Sequence, residues 1–135
     1  MGVIFDTSAI IASNAVMILS TLIAKRAEEP FGISVVTAAE LLHGVERADT
    51  DERKLKRQAF VEKVIESFPI FPFDLMVGRI YARIWAAIAR KGWTVGAHDL
   101  IIAATAISLD YTVATVNIRD FEKIPGVKME KLQWP

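Results

Sequence analysis

Asp6 stands between the apolar run Val3–Phe5 and an Ala/Ile-rich stretch, and Asp99 opens the small, apolar segment LIIAATAISL. Glu40 lies within VVTAAELLHGVE and Asp120 within NIRDFEKIPG. An ionised carboxylate in apolar surroundings costs several kcal/mol unless something pairs with it. Carboxylates brought together raise one another's pKa unless a cation lies among them. One or two Mg2+ or Mn2+ ions relieve that repulsion. Mg2+ binds through one or two carboxylates, keeps several waters and takes phosphate oxygens, and such a centre supports in-line displacement at phosphorus.

Each acid also has a structural role open to it. Asp6 suits the cap of a following helix. Thr37-Ala-Ala-Glu40 fits a capping box, with Glu40 bonding back to the Thr37 amide. Asp99 near a helix start complements the helix dipole, and Asp120 suits a cap or turn. Whether the four meet depends on the elements that carry them.

Hydrophobic periodicity and breakers predict those elements. Val3–Phe5 reads as a buried strand, Thr7–Ala12 as a turn or helical start. Ser13 or Asn14 then caps a helix to about Glu29, with Val16, Leu19, Leu22 and Ile23 at helical spacing and Pro30 at its end. Phe31–Val36 is a second strand, and Thr37 opens a helix to about Arg47. Residues 49–68 form a charged helix with Leu55, Ala59, Val64, Ile65 and Phe68 inward. Ile70 and Phe71 make a short strand. Asp74–Lys91 is a helix with Met76, Ile80, Ile84 and Ile88 on one stripe, stopped at Lys91–Gly92. Ala97–Leu109 is a helix feeding the strand TVATV, and a last strand lies near Val127–Met129. Strands alternating with helices imply a mainly parallel sheet with helices on both faces, an α/β fold of three layers. Asp6 and Asp120 then follow strand ends, Glu40 lies one helical turn past a strand, and Asp99 begins the helix that returns to TVATV. All four fall at the C-terminal edge of the sheet, where open α/β sheets bind ligands.

Composition narrows the chemistry. The 135 residues suit one domain, and 53% hydrophobic against 24% charged residues describe a folding chain. The absence of cysteine excludes disulfides and thiolate zinc sites, and two histidines leave little for a His-rich one. Sixteen Lys+Arg against sixteen Asp+Glu give zero formal net charge, so nucleic-acid binding requires a local basic patch. Arg53, Lys54, Lys56 and Arg57 are one candidate patch for RNA, offset by Asp49, Asp51 and Glu52; Arg79, Arg83, Arg90 and Lys91 are another. Asp6, Ser8, Ser13 and Asn14 interrupt the apolar N-terminal third, and no basic n-region precedes it. No signal peptide or transmembrane helix is predicted, and the expected location is cytoplasmic.

The blocks IFDTSAII, VVTAAELLHGVE, GAHDLIIAATA and TVNIRDFEKIPGV together resemble the PIN-domain ribonucleases, specifically VapC-type toxins of toxin–antitoxin pairs. They span nearly the whole chain in family order. The resemblance implies a single α/β/α PIN domain over residues 1–135 and a Mg2+- or Mn2+-dependent endoribonuclease. It casts Asp6, Glu40, Asp99 and Asp120 as the catalytic, metal-holding acids, Glu40 directly or through water. It leaves Asn117 as a polar site residue, and Thr7, Ser8 and Thr115 as supports for Asp6 or for metal-bound waters. It also implies a homodimer and inhibition by a VapB-type antitoxin, consistent with an apolar Val16–Ile23 helix that is either core or interface. A direct role for His43 or His98 is not required, because metal-activated water needs no histidine base. Two other readings remain: a phosphatase with Asp6 as nucleophile, whose haloacid-type signature wants an aspartate where Ser8 stands, and a non-catalytic RNA- or partner-binding PIN fold.

Overall fold

The computed structural model describes residues 2–13, 24 and 28–132. Its elements are β1 (Val3–Phe5), α1 (Thr7–Ser13), β2 (Phe31–Ser34), α2 (Val35–Glu46), α3 (Asp51–Ser67), β3 (Ile70–Phe71), α4 (Leu75–Arg90), α5 (Ala97–Leu109), β4 (Thr112–Thr115), a 3-10 turn (Ile118–Asp120) and β5 (Lys128–Lys131). The strands pair in the order β3-β2-β1-β4-β5, every pair parallel. The chain moves outward one way from β1 to β2 and β3, then resumes on the other side of β1 with β4 and β5. That reversal opens a crevice at the C-terminal ends of β1 and β4.

Alternation along β1 explains the three layers. Val3 and Phe5 face one side, where they pack with Ala9 and Ile10 of α1, Ala38, Leu41 and Val45 of α2, and Val61, Val64 and Phe68 at the end of α3. Ile4 faces the other side and packs with Val77, Ile80, Ile84 and Ile88 of α4 and the Ala-rich face of α5. The small residues Ala103, Ala104 and Ala106 are fully buried, so α5 lies close against the sheet. Val113 of β4 joins the same cluster.

Several expected details shift. β2 ends at Ser34, whose hydroxyl caps α2 by accepting from the Val36 amide at 3.1 Å. Thr37 is therefore a buried residue in the first turn rather than a cap, and the Thr37–Glu40 capping box does not form. Leu55 is 67% exposed and Ala59 is exposed too, because residues 51–59 of α3 all face solvent and only the second half of the helix lies over the core. On α4 the buried stripe begins at Val77, while Met76 is 62% exposed; Asp74 caps the helix, accepting from the Val77 amide at 3.0 Å. Ser13 ends α1, its hydroxyl donating to the Ile10 carbonyl at 2.6 Å. The apolar Val16–Ile23 face lies outside the described residues.

Gly32 of β2 pairs with Ile4, and a Cβ there would stand 2.5 Å from the Phe71 ring and 2.6 Å from the Pro69 carbonyl oxygen. Gly44 in α2 has nothing within 4 Å of such an atom. Gly32→Ala is expected to destabilise the fold by about 1–3 kcal/mol, as overpacking does. Gly44→Ala is expected to stabilise it by up to about 1 kcal/mol, the helix-propensity difference. Urea denaturation of the two variants checks the contrast; equal stabilities would contradict the close β2–β3 approach.

Candidate active site

Asp6 is the residue after β1 and is 2% exposed. Its amide donates to the Ala114 carbonyl of β4 at 3.1 Å, which extends the β1–β4 ladder and aims the side chain into the crevice edge. Three donors hold the carboxylate. The Ala9 amide reaches Oδ1 at 2.9 Å, the Thr115 hydroxyl reaches Oδ2 at 2.7 Å, and the Ser8 hydroxyl lies 2.8 and 2.9 Å from the two oxygens. Asp6 is thus the N-cap of α1 as well as the floor of the site. Three donors against about four lone-pair directions leave it room for a further partner. Thr115 is itself oriented by the Asn117 amide, which donates to its Oγ1 at 2.9 Å. Asn117 contributes that backbone group, while its side chain is exposed and caps nothing.

Glu40 comes from the second turn of α2. Thr7, the first residue of α1, donates its hydroxyl to Glu40 Oε1 at 2.8 Å, and the same hydroxyl lies 3.1 Å from Thr37 Oγ1. His98 Nδ1 stands 3.6 Å from Glu40 Oε2, so this histidine faces an acid remote in sequence as well as its neighbour Asp99. Asp99 is in the first turn of α5, after Gly96, whose lack of a side chain keeps that backbone near the carboxylate: a Cβ there would lie 3.5 Å from Asp99 Oδ2. Asp120 closes the 3-10 turn after β4.

Asp99 feels the charge of the other three acids, and Asp6 that of Asp120. Burial, then Asp120, Asp6 and Glu40 in turn, push the Asp99 carboxyl up to about 6, with His98 opposing the rise. Burial also raises the Asp6 carboxyl; the hydrogen bonds from Thr115, Ala9 and Ser8 lower it again, and Asp120 adds to the rise. The donor set consists of carboxylate and hydroxyl oxygens, the chemistry of a hard divalent cation. Among the described residues no three His, Asp or Glu side chains form a ready cage for an ion.

The basic patch divides. Arg53 bonds Asp49 at 2.8 Å, Lys54 lies 3.7 Å from Glu46 and Lys56 3.6 Å from Glu52. Arg57 donates to the Gly44 carbonyl at 2.8 Å. Lys56 and Arg57 line a groove of about 410 Å³ between α2 and α3, together with Glu40, Gly44, Arg47 and the apolar Leu41, Phe60 and Val61; Arg53 and Lys54 do not. Sequence reasoning missed Arg47 and Thr37. Spacing could have found Arg47, since Glu40, Gly44 and Arg47 stand at i, i+4 and i+7 on one helix face. Nothing local marks Thr37, whose contact with Thr7 is tertiary.

Residues 3–127 match the PIN domain family, and the chain belongs to it. Within that family its relatives are VapC ribonucleases. It is 38% identical over 129 residues to ribonuclease VapC1 of Rickettsia felis, spanning 96% of this chain and 95% of that protein. It is 39% identical over 98 residues to the tRNA(fMet)-specific endonuclease VapC of Salmonella typhimurium, spanning 73% of this chain and 72% of that protein. Among solved structures, DNA-bound VapBC from Salmonella typhimurium is similar at 30% identity with a TM-score of 0.84, covering 97% of this chain and 98% of that one.

Asp99 binds its proton more tightly in the folded chain, at about 6, than at its ordinary value of 3.8. A carboxyl raised in this way contributes stability that is full below the ordinary value and is lost as pH rises through about 6. Metal-free protein is expected to lose about 1–2 kcal/mol between roughly pH 4 and pH 6.5, after discounting for partial exposure, and Asp99→Asn to flatten most of that slope. Denaturation in EDTA across this range is the measurement; an unchanged slope in the variant would move the titration to another group.

Proposed function

We propose that this protein is a Mg2+- or Mn2+-dependent endoribonuclease of VapC type, the toxin of a type II toxin–antitoxin pair, folded as one domain over residues 1–135 and acting in the cytoplasm. The observation that carries the reading is the convergence of acids at the strand switch point, where Asp120, Asp6 and Glu40 all press on the Asp99 carboxyl and the buried Asp6 is held by Ser8, Ala9 and Thr115. The ribonuclease and endonuclease names of its relatives support it. Among the described residues no helix is long and apolar enough to cross a membrane.

In this reading Asp6 and Asp99 would bind the ion directly, and Glu40 and Asp120 would hold it directly or through water. A bound Mg2+ or Mn2+ would supply Lewis-acid activation of a water and charge stabilisation at the phosphate during in-line displacement. The chain's own residues set the geometry. Thr115, Ser8 and the Ala9 amide fix both oxygens of Asp6, so that it meets the ion without a rotamer search. Thr7 holds Glu40 Oε1, and Oε2, which His98 faces at 3.6 Å, is the oxygen that would be left to orient a water at the ion. Lys56, Arg57 and Arg47 are the cations that line the groove and can meet RNA phosphates; Lys56 also pairs with Glu52, as Arg53 and Lys54 outside the groove pair with Asp49 and Glu46.

The partner of this chain is a VapB-type antitoxin. The similarity to DNA-bound VapBC supports that assignment, as do the exposed Ile11 on α1 and Leu42 on α2, the helices whose neighbouring residues build the site. Leu75, Met76 and Trp85 on α4, with Phe73 just before it, form a second exposed apolar set and support a homodimer.

Incubation with structured RNA is expected to give cleavage with Mg2+ or Mn2+, abolished by EDTA and reduced at least about 100-fold by Asp6→Asn or Asp99→Asn, the scale on which metal and electrostatic groups act. Asp99→Asn is expected to weaken Mn2+ binding in calorimetry while leaving the metal-free fold as stable or more so, because one repelling charge is gone. Cleavage indifferent to EDTA would sink the proposal.

A further inference from the structure

Four carboxylates at one edge repel a phosphodiester, and the chain as a whole carries no net positive charge to offset them. Cations close to the acids must therefore draw a polyanion in. Two stand around one indole. Lys91 Nζ lies 4.7 Å, and Lys123 Nζ 5.8 Å, from the centroid of the Trp93 ring. Trp93 is 41% exposed although its backbone is fixed. Gly92 at φ 72° ends α4, with its amide bonded to the Ala89 carbonyl at 2.9 Å and the Trp93 amide to the Ile88 carbonyl at 3.2 Å. A residue at this point of such a helix end commonly folds its side chain back onto the helix; here the indole stays half open, with two ammonium groups over its ring.

The segments that carry these side chains are those that carry site acids. Trp93 is three residues before Gly96, which abuts the Asp99 carboxylate, and three extended residues span at most about 11 Å. Lys123 is three residues after Asp120, on a turn pinned by the buried Phe121 and Ile124. An aromatic face between cations matches the two features every nucleotide of a single strand offers, a π-face and an anionic linkage.

We propose that Trp93, Lys91 and Lys123 form a nucleotide subsite for single-stranded RNA beside the acidic site, in which a base displaces an ammonium group from the indole face and the lysines turn to the flanking phosphates. The proposal rests on the ribonuclease reading and extends it to a place on the substrate strand. Neither lysine nor the tryptophan touches the reacting atoms; they bind.

The test is fluorescence anisotropy of a labelled oligoadenylate with the full chain in EDTA, alongside RNA cleavage with Mg2+. Trp93→Ala is expected to weaken oligoadenylate binding about tenfold, the scale of one base stack. The conservative Trp93→Phe is expected to recover most of that loss, and the same oligomer made abasic should bind wild type and Trp93→Ala alike. Lys91→Gln with Lys123→Gln should lower the steepness of the salt dependence by about one to two counter-ions while leaving thermal stability unchanged. Cleavage of RNA by wild type, with binding by Trp93→Ala within about twofold of wild type, overturns the subsite and leaves the nuclease reading standing. So does an effect of Trp93→Ala that persists on the abasic oligomer, or absent binding by a wild type that cuts RNA. A wild type that neither binds nor cuts overturns both.

Discussion

A carboxylate buried behind a hydrophobic strand costs several kcal/mol unless it is hydrogen-bonded, and the way Asp6 meets that cost organises the molecule. One donor is the amide of Ala9, which ties the acid to the start of α1. Another is the hydroxyl of Thr115, which ties it to the end of β4, over a hundred residues away in the chain. β1 and β4 must therefore be adjacent and in register to within a hydrogen bond, and the Asp6 amide enforces this with its own bond to Ala114. Position and charge are set together.

Around the site, short hydroxyl side chains hold two of the carboxylates in place. Thr7 reaches Glu40, Ser8 and Thr115 reach Asp6, and Thr37 lies beside Thr7. Hydroxyls serve here because they donate to a carboxylate without adding charge, so they order the acids without neutralising the field a cation needs. Asp99 shows the repulsion most: burial and three like charges raise it to about 6. The basic groups complement this arrangement in the α2–α3 groove, which Glu40 also lines, and around Trp93.

Much of the fold and site was legible because it follows local rules. Three apolar residues and an acid make a strand end. Alternation of helical and strand periods predicts a parallel sheet, and the placement of Asp6, Glu40, Asp99 and Asp120 after strands or at a helix start puts them at one edge. The misjudged positions share a cause. Leu55, Ala59 and Met76 have the right spacing on an amphipathic face, but burial depends on how far a helix overlaps its neighbours, and periodicity carries no such length. The Thr37–Glu40 pattern satisfied a capping rule, yet Ser34 was a competing cap three residues earlier, and the end of β2 decided between them.

The order of residues by itself determined which side chains are acidic, which strand each follows and which family the chain belongs to, since these depend on composition and spacing along the chain. Only the tertiary structure decided that Thr115 holds Asp6 and Thr7 holds Glu40, that His98 stands by Glu40 and that Lys123 reaches the Trp93 indole. Those are contacts between segments whose separation in sequence is large, and their distances are set by sheet order and helix packing, which no local pattern encodes.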